Sequence, residues 1–293
     1  MKRVPDLRHT PSQGTAGWKE VLLPSQGHRV PARVYRPAAG PVGWLVWAHG
    51  GSWQYGSAAQ WHEVTSDLAR FSGSAVVSVD YRLAPEHRHP SGLLDVLAAV
   101  RWARREAIRE NGAPLVAVGG DSSGGTLAAS AALVLRDSGE PLAGQFLAYP
   151  PFDPACRNPS YGADATAYPS AEQLRTAWLR YRGSAPLSRR TGGNVLYSTP
   201  LEAADVTGVA PAVLAVGDHD PVLDDVRGYA ETLRRAGVRT SLRLFHQTPH
   251  AALVMPSRHR DADRAHPMRQ WLGRMVAARF AETADHIAHQ EDK

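Results

Sequence analysis

Short runs of apolar residues alternate with longer amphipathic segments along most of the chain. Six runs predict buried strands, at residues 44–48, 75–79, 115–118, 145–148, 212–216 and 242–245. The segments between them predict helices because their apolar residues recur at helical spacing; these lie near residues 58–71, 92–110, 123–138, 222–236 and 261–282. Strands that alternate with helices of this length are typical of βαβ units and of a mainly parallel sheet.

Two parts of the chain depart from this alternation. Residues 19–23 and 30–35 are joined by a turn-like segment and predict an antiparallel hairpin at the sheet edge. Residues 153–200 are rich in Pro, Gly, Ser, Arg and Tyr, with one helical piece at 171–181. So long an interruption inside a compact domain is typical of a functional excursion such as a lid.

Composition excludes several classes of protein. With 293 residues, 43% of them hydrophobic, the chain can bury a large core without metals or disulfides. Cys156 is the single cysteine and lies in a polar stretch without a motif, so we interpret it as neither bridged nor catalytic. The net charge of +5 comes from basic residues spread along the chain, which does not favour nucleic-acid binding.

The sequence indicates a cytoplasmic protein without a membrane anchor. No apolar segment follows the two basic residues near the start, as a secretory signal would require. No stretch approaches the roughly 20 apolar residues of a membrane span. Metal spacings such as C-x-x-C or H-E-x-x-H and the dinucleotide motif G-x-G-x-x-G are absent from the sequence, so we expect no metal and no cofactor.

The strongest chemical signal is a G-x-S-x-G motif centred on Ser122. It follows the apolar run at 115–118 directly and precedes a helical segment directly. This strand–turn–helix setting is typical of a nucleophile elbow, in which a strained turn exposes the serine hydroxyl above the sheet. The flanking glycines avoid collisions with the neighbouring strand and helix.

A second glycine motif, His49-Gly50-Gly51-Ser52-Trp53, closes the run at 44–48. Glycines let backbone N–H groups approach an oxygen that becomes negative during acyl transfer. We therefore predict an oxyanion hole formed by the N–H groups of Gly50, Gly51 and Ser123, the residue after the nucleophile. We interpret His49 as a structural part of this loop.

These motifs resemble those of the hormone-sensitive-lipase family of bacterial carboxylesterases. HGGSW is similar to the family's HGGG-type motif, GDSSGG to its GDSAGG elbow, and residues 80–87 reproduce DYRLAPEH. Residues 199–201 and 220–224 resemble its SPL and DPLRDE segments, so the similarity covers roughly residues 43–255 in order. The chain differs at Ser52, where the family has glycine, and at Ala251-Ala252, where it has Gly-Phe.

The resemblance implies an α/β-hydrolase fold, with a mostly parallel eight-stranded sheet flanked by helices and a small cap. It also implies Ser122 as the nucleophile, Asp220 as the acid and His250 as the base of a catalytic triad. From the residues alone, Asp218, Asp224 and Asp225 compete with Asp220, and His246 competes with His250.

We expect one domain over residues 1–293, with cap elements at 1–15 and 153–200. Because so few residues precede the HGG motif, we expect a small cap, an open site and a preference for short acyl groups. Aromatic candidates for the substrate-binding wall are Trp53, Tyr55, Tyr161 and Trp178.

The sequence therefore predicts a serine carboxylesterase that acts on a small-molecule ester, with a homodimer left open. One alternative retains the chemistry in a deacetylase, an amidase or an acyltransferase, since fold and triad do not separate these. Another is a non-catalytic ligand receptor on the same fold, which the presence of all three triad residues disfavours.

Overall fold

The strands of this protein form one large sheet and one small hairpin. A computed structural model describes residues 17–25, 27–164, 166–183, 188–191, 194–255 and 266–291. Its strands, in chain order, are β1 Gly17–Ser25, β2 His28–Arg36, β3 Trp44–Ala48, β4 Ala75–Val79, β5 Val116–Asp121, β6 Gly144–Ala148, β7 Ser188–Thr191, β8 Asn194–Tyr197, β9 Ala212–Gly217 and β10 Thr240–Phe245.

The large sheet has eight strands in the order β1-β2-β4-β3-β5-β6-β9-β10. β1 and β2 form the predicted antiparallel edge hairpin, and β2 is antiparallel to β4. All other pairs are parallel. Strands β3 to β6 and β9 are buried along their whole length, which explains their continuous apolar runs. The predicted α/β-hydrolase fold is confirmed.

Six α-helices accompany the strands in the described part of the chain. They are α1 His62–Ser72, α2 Ser91–Asn111, α3 Ser123–Asp137, α4 Ala171–Arg182, α5 Leu223–Arg235 and α6 Pro267–Glu291. Helix α1 packs against α6, and α2 packs against α3. Residues 123–135 of α3 are all buried, which their small and apolar side chains allow. Among the described helices, none is both long and apolar enough to cross a membrane.

The insert at residues 153–200 contains elements of its own. A short 3₁₀ helix at Pro159–Gly162 is followed by α4 and by the hairpin of β7 and β8. Helix α4 begins with a capping box, in which the Ser170 hydroxyl accepts the Gln173 N–H and the Gln173 side chain accepts the Ser170 N–H. The other expected cap element, residues 1–15, lies outside the described residues.

Candidate active site

The turn between β5 and α3 holds Ser122 in a backbone conformation that is rare for serine. Its φ is +49° and its ψ is −125°, and its N–H donates to the Ala148 carbonyl oxygen at 2.8 Å. A Cβ on Gly124 would stand 2.0 Å from the Ala48 carbonyl oxygen, and one on Gly120 would stand 2.4 Å from the Gly124 backbone. The sharp turn therefore requires both glycines, as the elbow motif predicts.

Three side chains from different strand ends form one chain of hydrogen bonds. The Ser122 Oγ lies 2.9 Å from the His250 Nε2. The His250 Nδ1 lies 2.9 Å from Oδ1 and 3.0 Å from Oδ2 of Asp220. Ser122 follows β5, Asp220 follows β9 and His250 follows β10, so the parallel sheet brings all three to its carboxyl edge. Asp220 and His250 are buried, which removes the pair from water.

Two of the competing residues, Asp218 and His246, form a separate pair at the surface, whereas Asp224 and Asp225 accept hydrogen bonds from the insert at residues 153–200. The His246 Nδ1 lies 2.6 Å from the Asp218 Oδ2, and 84% of the His246 side chain is exposed. Burial acts to raise the pKa of Asp218, but the hydrogen bonds from His246 and from the Thr248 N–H outweigh it and lower the pKa. This pair joins the loops after β9 and β10 without contacting Ser122 in any described hydrogen bond.

Tyr149 supports the loop that carries His250, and sequence reasoning missed it. Its ring packs edge-on against the imidazole, with centroids 4.9 Å apart. Its hydroxyl oxygen accepts the N–H of Leu253, which belongs to the 3₁₀ turn that follows His250. Tyr149 directly follows the buried strand β6, and this position was the only signal in the sequence.

The loop after β3 lies against the elbow, where the predicted oxyanion donors would be needed. A Cβ on Gly50 would stand 3.3 Å from the Ser122 Cβ, and one on Gly51 would stand 2.2 Å from the Tyr55 carbonyl oxygen. Gly51 has a φ of +117°, so both its conformation and the close contact require glycine. None of the hydrogen bonds among the described residues uses the N–H of Gly51 or of Ser123.

His49 fixes the start of this loop. It is fully buried, its Nδ1 donates to the Gly50 carbonyl oxygen at 2.7 Å, and its ring stacks on Tyr81 with centroids 4.4 Å apart. Burial lowers its pKa to about 4, so the imidazole is neutral near pH 7. These contacts agree with the structural interpretation of His49.

Asp121, which directly precedes the nucleophile, is a further charged group at this edge. Its carboxylate accepts the indole N–H groups of Trp47 at 3.1 Å and Trp61 at 2.8 Å. Burial raises its pKa to about 7, against the lowering effects of the two indoles, of the Gly50 N–H and of His250. Asp121 was not among the predicted site residues, although a carboxylate at the end of an apolar strand is a visible signal.

The four aromatic candidates for the substrate wall differ in their surroundings. Trp53 and Trp178 are buried and in contact, with ring centroids 4.3 Å apart, and Tyr181 stacks on Trp53. Tyr161 is also buried, and its hydroxyl donates to Asp225 in a different cluster. Tyr55 is 66% exposed. Their role in binding substrate stays a prediction, and the first two chiefly join α4 to the loop after β3.

Neither thiol nor metal chemistry competes with this serine in the described part of the chain. Cys156 is buried, and burial raises its pKa to about 12, which keeps the thiol protonated. No group of three or more His, Cys, Asp or Glu side chains that could hold a metal ion occurs among the described residues. The Asp218-His219-Asp220 run divides between the surface pair and the buried triad.

Known proteins resemble this chain in sequence. A family model described as the alpha/beta hydrolase fold matches residues 45–254. Carboxylesterase NlhH of Mycobacterium tuberculosis is 37% identical over 78% of this chain and 74% of its own length. Carboxylic ester hydrolase LipN of the same species is 34% identical over 80% of this chain, but the match spans only 64% of LipN.

Solved structures resemble it in fold. Esterase LipW of Mycobacterium marinum superposes with a TM-score of 0.77 at 29% identity, and the match covers 90% of this chain and 82% of LipW. The strand order of the sheet, the turn at Ser122 and the family match all indicate the same fold. The chain therefore belongs to the hormone-sensitive-lipase-like family of the α/β hydrolases.

Proposed function

We propose that this protein is a serine carboxylesterase that hydrolyses short-acyl carboxylic esters of small molecules. The hydrogen-bonded chain from Ser122 through His250 to Asp220, with both links at 2.9 Å, carries the proposal. A nucleophile, a base and a carboxylate that orients the base are the groups that acyl transfer from an ester requires. The similarity to NlhH and LipN, both named as ester hydrolases, supports the same chemistry.

The geometry supports a two-step reaction. The Ser122 Oγ attacks the ester carbonyl while the His250 Nε2 takes its proton, and Asp220 stabilises the imidazolium that forms. The N–H groups of Gly51 and Ser123 are the proposed donors to the oxyanion, whereas the Gly50 N–H, also predicted as a donor, interacts with the Asp121 carboxylate. His250 then protonates the departing alcohol, activates a water against the acyl-enzyme and returns the proton to Ser122.

The proposal is tested with purified protein on p-nitrophenyl acetate and on the matching anilide, p-nitroacetanilide. We expect ester turnover together with covalent labelling of Ser122 by a fluorophosphonate, located by mass spectrometry of the labelled peptide. Faster turnover of the anilide would make the protein an amidase. Absence of both turnover and labelling would support a non-catalytic receptor and end the proposal.

The activity should fall on the acid side of its pH profile. A protonated imidazole cannot accept the Ser122 proton, so kcat/KM decreases as His250 becomes charged. His246→Ala should leave this acid limb in place because His246 lies in the exposed pair with Asp218. The measurement is log(kcat/KM) against pH for both proteins. If kcat/KM of His246→Ala no longer decreased at low pH, His246 would be the base.

Acetyl to butyryl esters should give the highest kcat/KM. The packing of Trp53, Trp178 and Tyr181 fills the space between α4 and the loop after β3, so a long acyl chain finds little apolar surface there. Each methylene left in water forgoes about 0.8 kcal/mol of binding energy. A series of p-nitrophenyl esters of increasing acyl length measures the preference. A steady rise of kcat/KM through the long chains would favour a lipase pocket.

A further inference from the structure

Asp121 is a buried carboxylate that has neutral hydrogen-bond donors but no cationic partner. It is 2% exposed at the end of β5, and none of the ion pairs among the described residues includes it. Burial of an unpaired carboxylate costs free energy, and its raised pKa of about 7 reflects that cost. A residue kept against such a cost is a candidate for a functional role.

Two indoles fix the orientation of this carboxylate. The Nε1 atoms of Trp47 and Trp61 both donate to the same oxygen, Oδ1 of Asp121. Trp47 is fully buried on β3, and Trp61 lies in the turn before α1 with its ring 5.2 Å from that of His49. Because Oδ1 is engaged by both indoles, the other oxygen, Oδ2, has a defined direction.

Oδ2 of Asp121 points to the loop that carries the proposed oxyanion donors. A Cβ on Gly50 would stand 2.6 Å from this oxygen, and the Gly50 N–H also interacts with the carboxylate and lowers its pKa. One side of Asp121 therefore belongs to the nucleophile elbow, and the other side contacts the loop after β3. The loop at Gly50 and the elbow at Ser122, which carry the proposed oxyanion donors Gly51 and Ser123, are in contact here.

We propose that Asp121 is a positioning residue: its carboxylate, held by Trp47 and Trp61, keeps the loop at Gly50 aligned with the elbow at Ser122. This inference rests on the proposed esterase function and adds a group that acts through the loop without touching the substrate. Alignment matters because a shift of about 1 Å in a catalytic group can cost on the order of 10²-fold in rate.

The charge on Asp121 should also appear in the pH profile. The titratable groups that face it are His250, Tyr149 and Tyr81. His49 stacks on Tyr81 and lies at a tilt against Trp61. His49 and the two tyrosines stay neutral near pH 7. Burial lowers the pKa of His49 and raises the pKa of both Tyr81 and Tyr149. The proton on Asp121 therefore contributes to the acid limb of wild type in addition to the proton on the base.

The first test is Asp121→Asn, which keeps the shape of the side chain. Its amide oxygen can still accept both indole N–H groups, but its NH₂ then faces the Gly50 N–H, so donor meets donor. We expect kcat on p-nitrophenyl acetate to fall about ten- to a hundredfold with little change in KM. On the plot of log(kcat/KM) against pH, the acid limb should become less steep, with the slope of a single protonation.

Thermal unfolding separates positioning from a structural role. The folded-state pKa of Asp121 is raised from 3.8 to about 7, so wild type loses stability as pH rises through that interval. Asp121→Asn lacks this loss, and we expect its Tm at pH 8 to equal or exceed that of wild type. Low activity together with a clearly lower Tm at pH 8 would assign Asp121 a structural role and overturn the proposal.

Removal of one indole donor gives a second, independent measurement. Without the hydrogen bond from Trp61, the carboxylate holds its proton more tightly, so the acid limb of Trp61→Phe should move to higher pH. The matched control is Trp102→Phe, which removes an indole that packs on Trp44 and should leave the limb in place. Equal kcat in Asp121→Asn and wild type, or an unmoved limb in Trp61→Phe, would refute this inference alone. An inactive wild type would refute the proposed function instead.

Discussion

Ser122→Ala should lower kcat/KM by on the order of 10³-fold or more while the protein stays folded. The Oγ is the only atom removed, and it lies 2.9 Å from the His250 Nε2, where the base would take its proton. Alanine and serine both carry a Cβ and meet the same restriction in the backbone conformation of the elbow, so the hydrogen bond from residue 122 N–H to the Ala148 carbonyl oxygen should persist. The residual rate would then come from the oxyanion donors and from substrate binding.

Ser130→Ala is the matched control for this substitution. Ser130 lies on α3, the helix that follows Ser122; it is buried, and its hydroxyl has no hydrogen-bond partner among the described residues. Its replacement should change neither kcat/KM nor Tm by much. Both variants are compared on p-nitrophenyl acetate, with circular dichroism to verify folding. A folded Ser122→Ala protein with near-normal activity would exclude Ser122 as the nucleophile.

The parts of the fold that follow from local pattern were accessible from the sequence. The buried central strands are continuous apolar runs, and the prediction of residues 44–48 and 75–79 as strands matches β3 and β4 residue for residue. The helical piece predicted at 171–181 is observed as α4. The elbow at Ser122 was predictable because its glycines are required by close contacts that are mostly local. A Cβ on either glycine would collide with the elbow itself or with the end of the neighbouring strand β3.

Other features left no recognisable pattern in the sequence, either because a strand is polar or because the contacts join distant segments. The β7–β8 hairpin was not predicted, because Ser188–Thr191 is too polar to resemble a strand and pairs only with its neighbour. The contact of Trp53 with Trp178 and Tyr181, more than 120 residues further along the chain, joins distant segments and could not be predicted. The pairing of Trp47 and Trp61 with Asp121 was invisible for the same reason.

The proposed acid, Asp220, lies in a run of two aspartates around a histidine, and each aspartate has its own partner. Asp218 pairs with the exposed His246, whereas Asp220 is buried and pairs with His250. The Oδ1 of Asp220 also accepts the Val222 N–H at 3.0 Å, which fixes the carboxylate in the plane that meets the imidazole. Two substitutions of the same kind, two residues apart, therefore test this assignment.

Asp220→Asn should lower kcat/KM by roughly 10³- to 10⁴-fold. The amide oxygen will stay with the Val222 N–H, so the NH₂ group takes the place of Oδ2, 3.0 Å from the His250 Nδ1. The oxygen at the Oδ1 position still lies 2.9 Å from Nδ1, but the NH₂ group repels the Nδ1 proton and the charge that stabilises the imidazolium is gone. The tautomer with the proton on Nε2 is then favoured, and it cannot accept the proton of Ser122. Asp218→Asn should cost little, because its partner is exposed and takes no part in the chain to Ser122. Steady-state kinetics on p-nitrophenyl acetate, with Tm for both variants, measures the contrast, and the reverse order of effects would assign the acid to Asp218.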